Sequence, residues 1–163
     1  MALAGVGVDI VEIARMEKIL ARTPRFARRV FTDEEREYCE RSARPAAHYA
    51  CRFAAREATL KALGCGFGKG VSYSDVSVAA DASGRPQVVL SGRVAELAQE
   101  KGVLSVAISL SFTRDMAVAN AVASTAETAP KQDETRDPRR ELAESFREAR
   151  SIIDELERVS DGK

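Results

Sequence analysis

This chain of 163 residues is poor in the residue types that most often announce chemistry. It has one histidine, His48, so a histidine-built metal cluster is excluded and a His-dependent triad has no place away from that position. Its three cysteines, Cys39, Cys51 and Cys65, have neither metal-ligand spacing nor an even count. They read as reduced thiols of a cytoplasmic protein. An excess of either charge is also missing: 25 Lys and Arg balance 25 Asp and Glu. Global charge therefore names no partner, and neither nucleic acid nor a membrane surface is expected. No apolar run reaches the roughly 18 residues of a membrane span. The opening, MALAGVGVDIVEI, lacks a basic region and soon meets Asp9 and Glu12, so it does not read as a signal peptide. There is no internal repeat. The hydrophobic content of 45% is enough for one domain with an appendage.

The chain carries alternating element signals. Residues 3–11 are apolar and β-branched and predict a buried strand with Asp9 inside it. A carboxylate there is costly unless it is paired, hydrogen-bonded or metal-bound. Residues 12–29 follow a helical period, and Thr23-Pro24 offers a break. One face of that stretch carries Arg15, Lys18, Arg22, Arg25, Arg28 and Arg29. It reads either as a solvated face or as a docking surface for an acidic partner. Thr32 and Glu35 have capping-box spacing in the helical stretch of residues 31–42. A hairpin follows over residues 72–92, then a short helix over 91–101. Strands 103–112 and 116–123 come next. Helices grouped apart from antiparallel strands predict an α+β fold. Residues 1–124 read as the folded domain and 125–138 as a polar linker. Residues 139–163 read as an amphipathic helical extension with Leu142, Phe146, Ala149, Ile153 and Leu156 on one stripe.

The most informative stretch is residues 49–70. An alanine-rich helix carries Glu57 and Lys61 four apart, so they share one face, and Arg52 and Arg56 share a neighbouring face. Then Gly64, Gly66, Gly68 and Gly70 alternate with Cys65, Phe67 and Lys69. Such a loop ends a helix and admits a ligand close to the backbone. A carboxylate, a lysine and a glycine loop with its own lysine suit a Mg²⁺–phosphate pair, and Asp9 supplies a second hard-oxygen ligand. On this stretch alone, a core helix with one surface ion pair and a flexible cap reads as well. The spacing is not that of a Walker loop.

Five segments in order resemble a known family. They are G-V-D-I at residues 7–10, F-T-x-x-E-x-x-Y-C at 31–39, R-F-A-A-R-E-A-x-x-K-A-L-G-x-G at 52–66, G-x-P at 84–86 and S-L-S-x-T at 109–113. Together the chain resembles the holo-[acyl-carrier-protein] synthases, the small single-repeat class of 4′-phosphopantetheinyl transferases. The resemblance covers residues 4–122. It implies an α+β homotrimer with active sites between subunits. It also implies transfer of phosphopantetheine from coenzyme A to a serine of an acyl carrier protein of fatty-acid or polyketide synthesis. By the same resemblance Asp9 and Glu57 are magnesium ligands, and with Lys61 at the pyrophosphate they form the catalytic set. Arg52, Arg56, Gly64, Gly66, Gly68, Lys69, Pro86 and Phe112 fall around coenzyme A. Arg15, Arg22, Arg25 and Arg28 fall on the surface that meets the carrier protein. Arg56 stands where the family usually has lysine, and Phe112 where it usually has histidine. A phenyl ring neither donates to a phosphate nor relays a proton. Phe112 and the tail keep a second reading open, a coenzyme A- or carrier-binding scaffold. Glu35 and Glu37, acting through water, and metal-bound hydroxide are the alternatives for the base.

Overall fold

The computed structural model describes residues 5–128 except Phe67 and Lys69. Thr125, expected to open the linker, is the last residue of β5; the rest of the linker beyond residue 128, the helical extension and the Lys69 assignment lie outside the described residues. The order is β1 (Gly5–Glu12), α1 (Ile13–Arg22), α2 (Pro24–Val30), α3 (Asp33–Glu40), α4 (Pro45–Ala62), a 3₁₀ turn (Tyr73–Asp75), β2 (Val76–Ala80), β3 (Pro86–Leu90), α5 (Gly92–Glu100), β4 (Val103–Phe112) and β5 (Met116–Thr125). One antiparallel sheet runs β1-β5-β4, and β2 and β3 form a separate hairpin. This is an α+β fold.

Local chemistry sets most boundaries. Pro24 ends the helical run at Thr23, so the basic stretch becomes two helices rather than one. The Thr32 hydroxyl accepts from the Glu35 backbone N–H while the Glu35 carboxylate accepts from that of Thr32. Pro45 opens α4, and Gly64, at φ +62°, closes it. The start of the predicted hairpin strand is instead a 3₁₀ turn, because Ser72 and Asp75 form a capping box of their own.

Helix α4 lies across one face of the sheet, and small residues let it come close. Ala54, Ala58 and Ala62 pack in one core cluster with Ala119, Ala121 and Ala123 of β5. On β1 the approach is closer still: a Cβ at Gly7 would lie 1.9 Å from the Ala58 carbonyl oxygen, and one at Gly5 1.8 Å from that of Ala62. The two glycines thus seat β1 directly on the helix backbone. The opposite sheet face is bare among the described residues. Strand register lines up Val6 with Val122, Val8 with Asn120 and Ile10 with Val118. Val6, Val8 and Ile10 are 65%, 45% and 58% exposed.

Candidate active site

The seating of β1 on α4 brings Asp9 to the turns of α4 that carry Glu57 and Lys61. The Lys61 ammonium donates to Asp9 Oδ1 at 2.8 Å and to the Val8 carbonyl at 3.0 Å. The intrahelical Glu57–Lys61 ion pair allowed by the spacing is not among the ion pairs formed; lysine reaches across to the strand instead. Asp9 and Glu57 line one cleft of about 700 Å³ together with Arg15, Phe53, Tyr73 and Met116. Burial, and then the Asp9 charge, push the Glu57 carboxyl above its ordinary range, with Lys61 opposing. Two carboxylates held against mutual repulsion suit a divalent cation, and both are hard-oxygen donors. Among the described residues no third His, Cys, Asp or Glu completes a protein-only cage. Such an ion would draw its remaining ligands from water and substrate. Mg²⁺ fits that donor set.

A second cleft, with no lining residue in common with the first, gathers another part of the sequence-derived set. Arg52, Gly84, Pro86 and Phe112 line it with Tyr38, His48 and Cys51. Arg52 is only 6% exposed, and its Nε has no hydrogen-bond partner among the described residues. Its guanidinium lies 4.0 Å from the centre of the Tyr38 ring, and it makes none of the described ion pairs. A buried cation without a carboxylate is costly, and an entering anion would relieve that cost. Arg44 ties the head of α4 to the β4–β5 turn through the carbonyls of Thr113 and Arg114, and its guanidinium covers the Phe112 ring at 5.3 Å.

The structure corrects one assignment. Arg56 is fully buried and does not face either cleft. Its guanidinium forks onto both Glu35 oxygens, with Nη1 to Oε1 at 3.0 Å, and donates to the carbonyls of Tyr73 and Arg52. Glu35 also accepts from the Val78 N–H. Neither residue is available to a phosphate or a proton in transit, so Glu35 is withdrawn as a base. Glu37 is exposed and paired with Arg41. Gly64 adjoins the Lys101 ammonium, whereas Gly66 and Gly68 face open space. Arg15, Arg22, Arg25 and Arg28 are all exposed, and Arg15 alone of them also lines the carboxylate cleft. Sequence reasoning missed Tyr38 and Tyr73 as cleft walls, and noted His48 only for its rarity. Burial pushes the Cys39 thiol up to about 12 and raises Cys51 and Cys65, so none is an activated nucleophile.

The sequence profile of the 4′-phosphopantetheinyl transferase superfamily matches residues 5–126. A holo-[acyl-carrier-protein] synthase of Syntrophus aciditrophicus is 45% identical over 114 residues, 69% of this chain and 89% of that protein. The crystal structure of a holo-[acyl-carrier-protein] synthase from Neisseria meningitidis superposes with a TM-score of 0.68 at 32% identity, covering 74% of this chain and 98% of that one. The Helicobacter pylori synthase, solved in complex with coenzyme A, gives 0.64 at 32% identity, covering 73% and 99%. The match takes in both clefts and all the described elements that build them, and the chain belongs to the 4′-phosphopantetheinyl transferase superfamily.

Proposed function

We propose that this chain is a holo-[acyl-carrier-protein] synthase, moving 4′-phosphopantetheine from coenzyme A to a serine of an apo acyl carrier protein. The observation that carries this reading is the pair of unlike clefts. One holds Asp9 and Glu57 in a single cleft, with the Lys61 ammonium on Asp9, for a pyrophosphate; the other offers a buried Arg52, without an anion among the described residues, between aromatic walls to a phosphorylated nucleotide. The serine oxygen attacks the β-phosphorus, a new P–O bond forms, and the bond to the bridging oxygen breaks. Adenosine 3′,5′-bisphosphate leaves, and the serine proton passes to water. Lys61 places positive charge where the leaving phosphate gathers negative charge. Mg²⁺ held by Asp9 and Glu57 would supply further charge neutralisation at the pyrophosphate.

The acidic carrier protein docks on the exposed arginines of α1 and α2. Arg15 leads that surface into the carboxylate cleft, so docking delivers the serine beside Asp9 and Glu57. The chain assembles as a homotrimer through the bare apolar sheet face, and the carboxylate cleft of one subunit meets the Arg52 cleft of the next. The exposed valines and Ile10 support this arrangement, as does the absence of shared lining between the clefts.

The test is direct. The full chain, coenzyme A, Mg²⁺ and a panel of apo fatty-acid and polyketide carriers are incubated and weighed by mass spectrometry. Each substrate carrier should gain one phosphopantetheine. Coenzyme A bound without modification of any carrier would replace this reading with that of a scaffold.

A further inference from the structure

The residue on which the Arg52 cleft turns is its imidazole. His48 stands on the first turns of α4, half-buried, with its imidazole edge-on between two aromatic rings. Its centroid is 5.5 Å from that of Tyr38 and 5.4 Å from that of Phe112. Those contacts hold the ring at the mouth of the cleft, where it is a wall both of the Arg52 cleft and of the adjoining groove. No hydrogen bond to either ring nitrogen occurs among the described residues. Phe112, opposite, has no polar atom to offer. A planar donor held by packing, beside a buried cation without an anion, is arranged to meet a ligand rather than to brace the fold.

We propose that His48 is a specificity-determining residue of this cleft: it binds the phosphate monoester of coenzyme A as an imidazolium, so that binding takes up one proton. This rests on the coenzyme A reading above. The charges around the ring explain why the proton arrives with the ligand. Arg52 of α4 and Arg44 just before that helix flank it, while Tyr38, Glu34 and Glu37 of α3 and Arg41 just after it share the outer groove. Phe112 of β4 and the hairpin residues Ala79, Ala80, Gly84 and Pro86 add no charge. Burial and the two arginines hold the free imidazole below its ordinary value, hence neutral at pH 7. A phosphate dianion between Arg52 and His48 reverses the balance. The ligated imidazole is the more basic state, and affinity strengthens as pH falls from the ligated toward the free pKa.

His48 is the only histidine, so its ring protons report without assignment. They are followed by NMR through a pH titration of the full chain, free, with coenzyme A and with dephospho-coenzyme A. Coenzyme A should move the His48 titration above its ordinary value, and dephospho-coenzyme A should leave it where it is. Calorimetry in buffers of different ionisation enthalpy should find proton uptake with coenzyme A only. His48→Gln should abolish that uptake, and His48→Ala should cut the preference for coenzyme A over dephospho-coenzyme A by about tenfold. An unmoved titration with coenzyme A bound overturns the role of His48 and leaves the coenzyme A reading intact. A wild type that binds neither compound overturns both.

Discussion

Glu57 carries a conflict that a single atom exchange exposes. Its carboxyl is pushed above its ordinary range by burial and by Asp9, so the folded chain binds a proton there more readily than the unfolded chain. A group of this kind contributes stability below its unfolded pKa and loses it as pH rises through the folded pKa. At neutral pH the charged carboxylate is therefore a cost to the metal-free fold. Glu57→Gln should raise the melting temperature of the metal-free protein at pH 7, narrow that gain as pH falls through the carboxylate range, and abolish transfer. A scanning calorimeter and the carrier mass assay check the two halves. Arg56 is the opposite case. Arg56→Ala strands Glu35 without its counter-ion and should destabilise by about 3–5 kcal/mol in a denaturant titration. The sequence reading set Arg56 beside coenzyme A, because nothing local says that Glu35, 21 positions earlier, waits for it.

At the scale of elements, α4 is fixed in two ways that together aim its carboxylate. The Arg56–Glu35 fork stops the helix turning about its axis, and one residue of rotation is about 100°. Gly5 and Gly7 set how deep β1 sits against it. Gly7→Ala places a methyl inside the Ala58 carbonyl and must push the strand outward. The expected result is a loss of about 1–3 kcal/mol in a denaturant melt and a larger loss of transfer, since Asp9 moves from Lys61. Unchanged transfer would show that the strand position does not matter. Much of this level was legible beforehand. The strands over 103–112 and 116–123, the capping box at Thr32 and the break at Thr23-Pro24 are written locally. The partner of Lys61 was not, because four-residue spacing says only that Glu57 is within reach. The Tyr38–His48–Phe112 wall was not legible either, as it joins three elements that only the folded chain brings together.

For the whole molecule, the bare sheet face is the feature to perturb. Val8 and Ile10 stand on it, pointing away from α4. Val8→Asp should leave the fold intact and reduce the light-scattering mass from three chains to one, with transfer lost. A monomer that still transfers phosphopantetheine at the wild-type rate would count against sites completed between subunits.

The separateness of the two clefts also has an arithmetic consequence. Suppose a Glu57→Ala chain and an Arg52→Ala chain, each inactive alone, are unfolded together in equal amounts and refolded. In the proposed homotrimer, six of the eight orderings around the ring are mixed. Going round any mixed ring in one direction, the step from an intact Glu57 to an intact Arg52 occurs once. One site in three is thereby whole in three-quarters of the rings, so two dead proteins should recover about a quarter of wild-type activity between them.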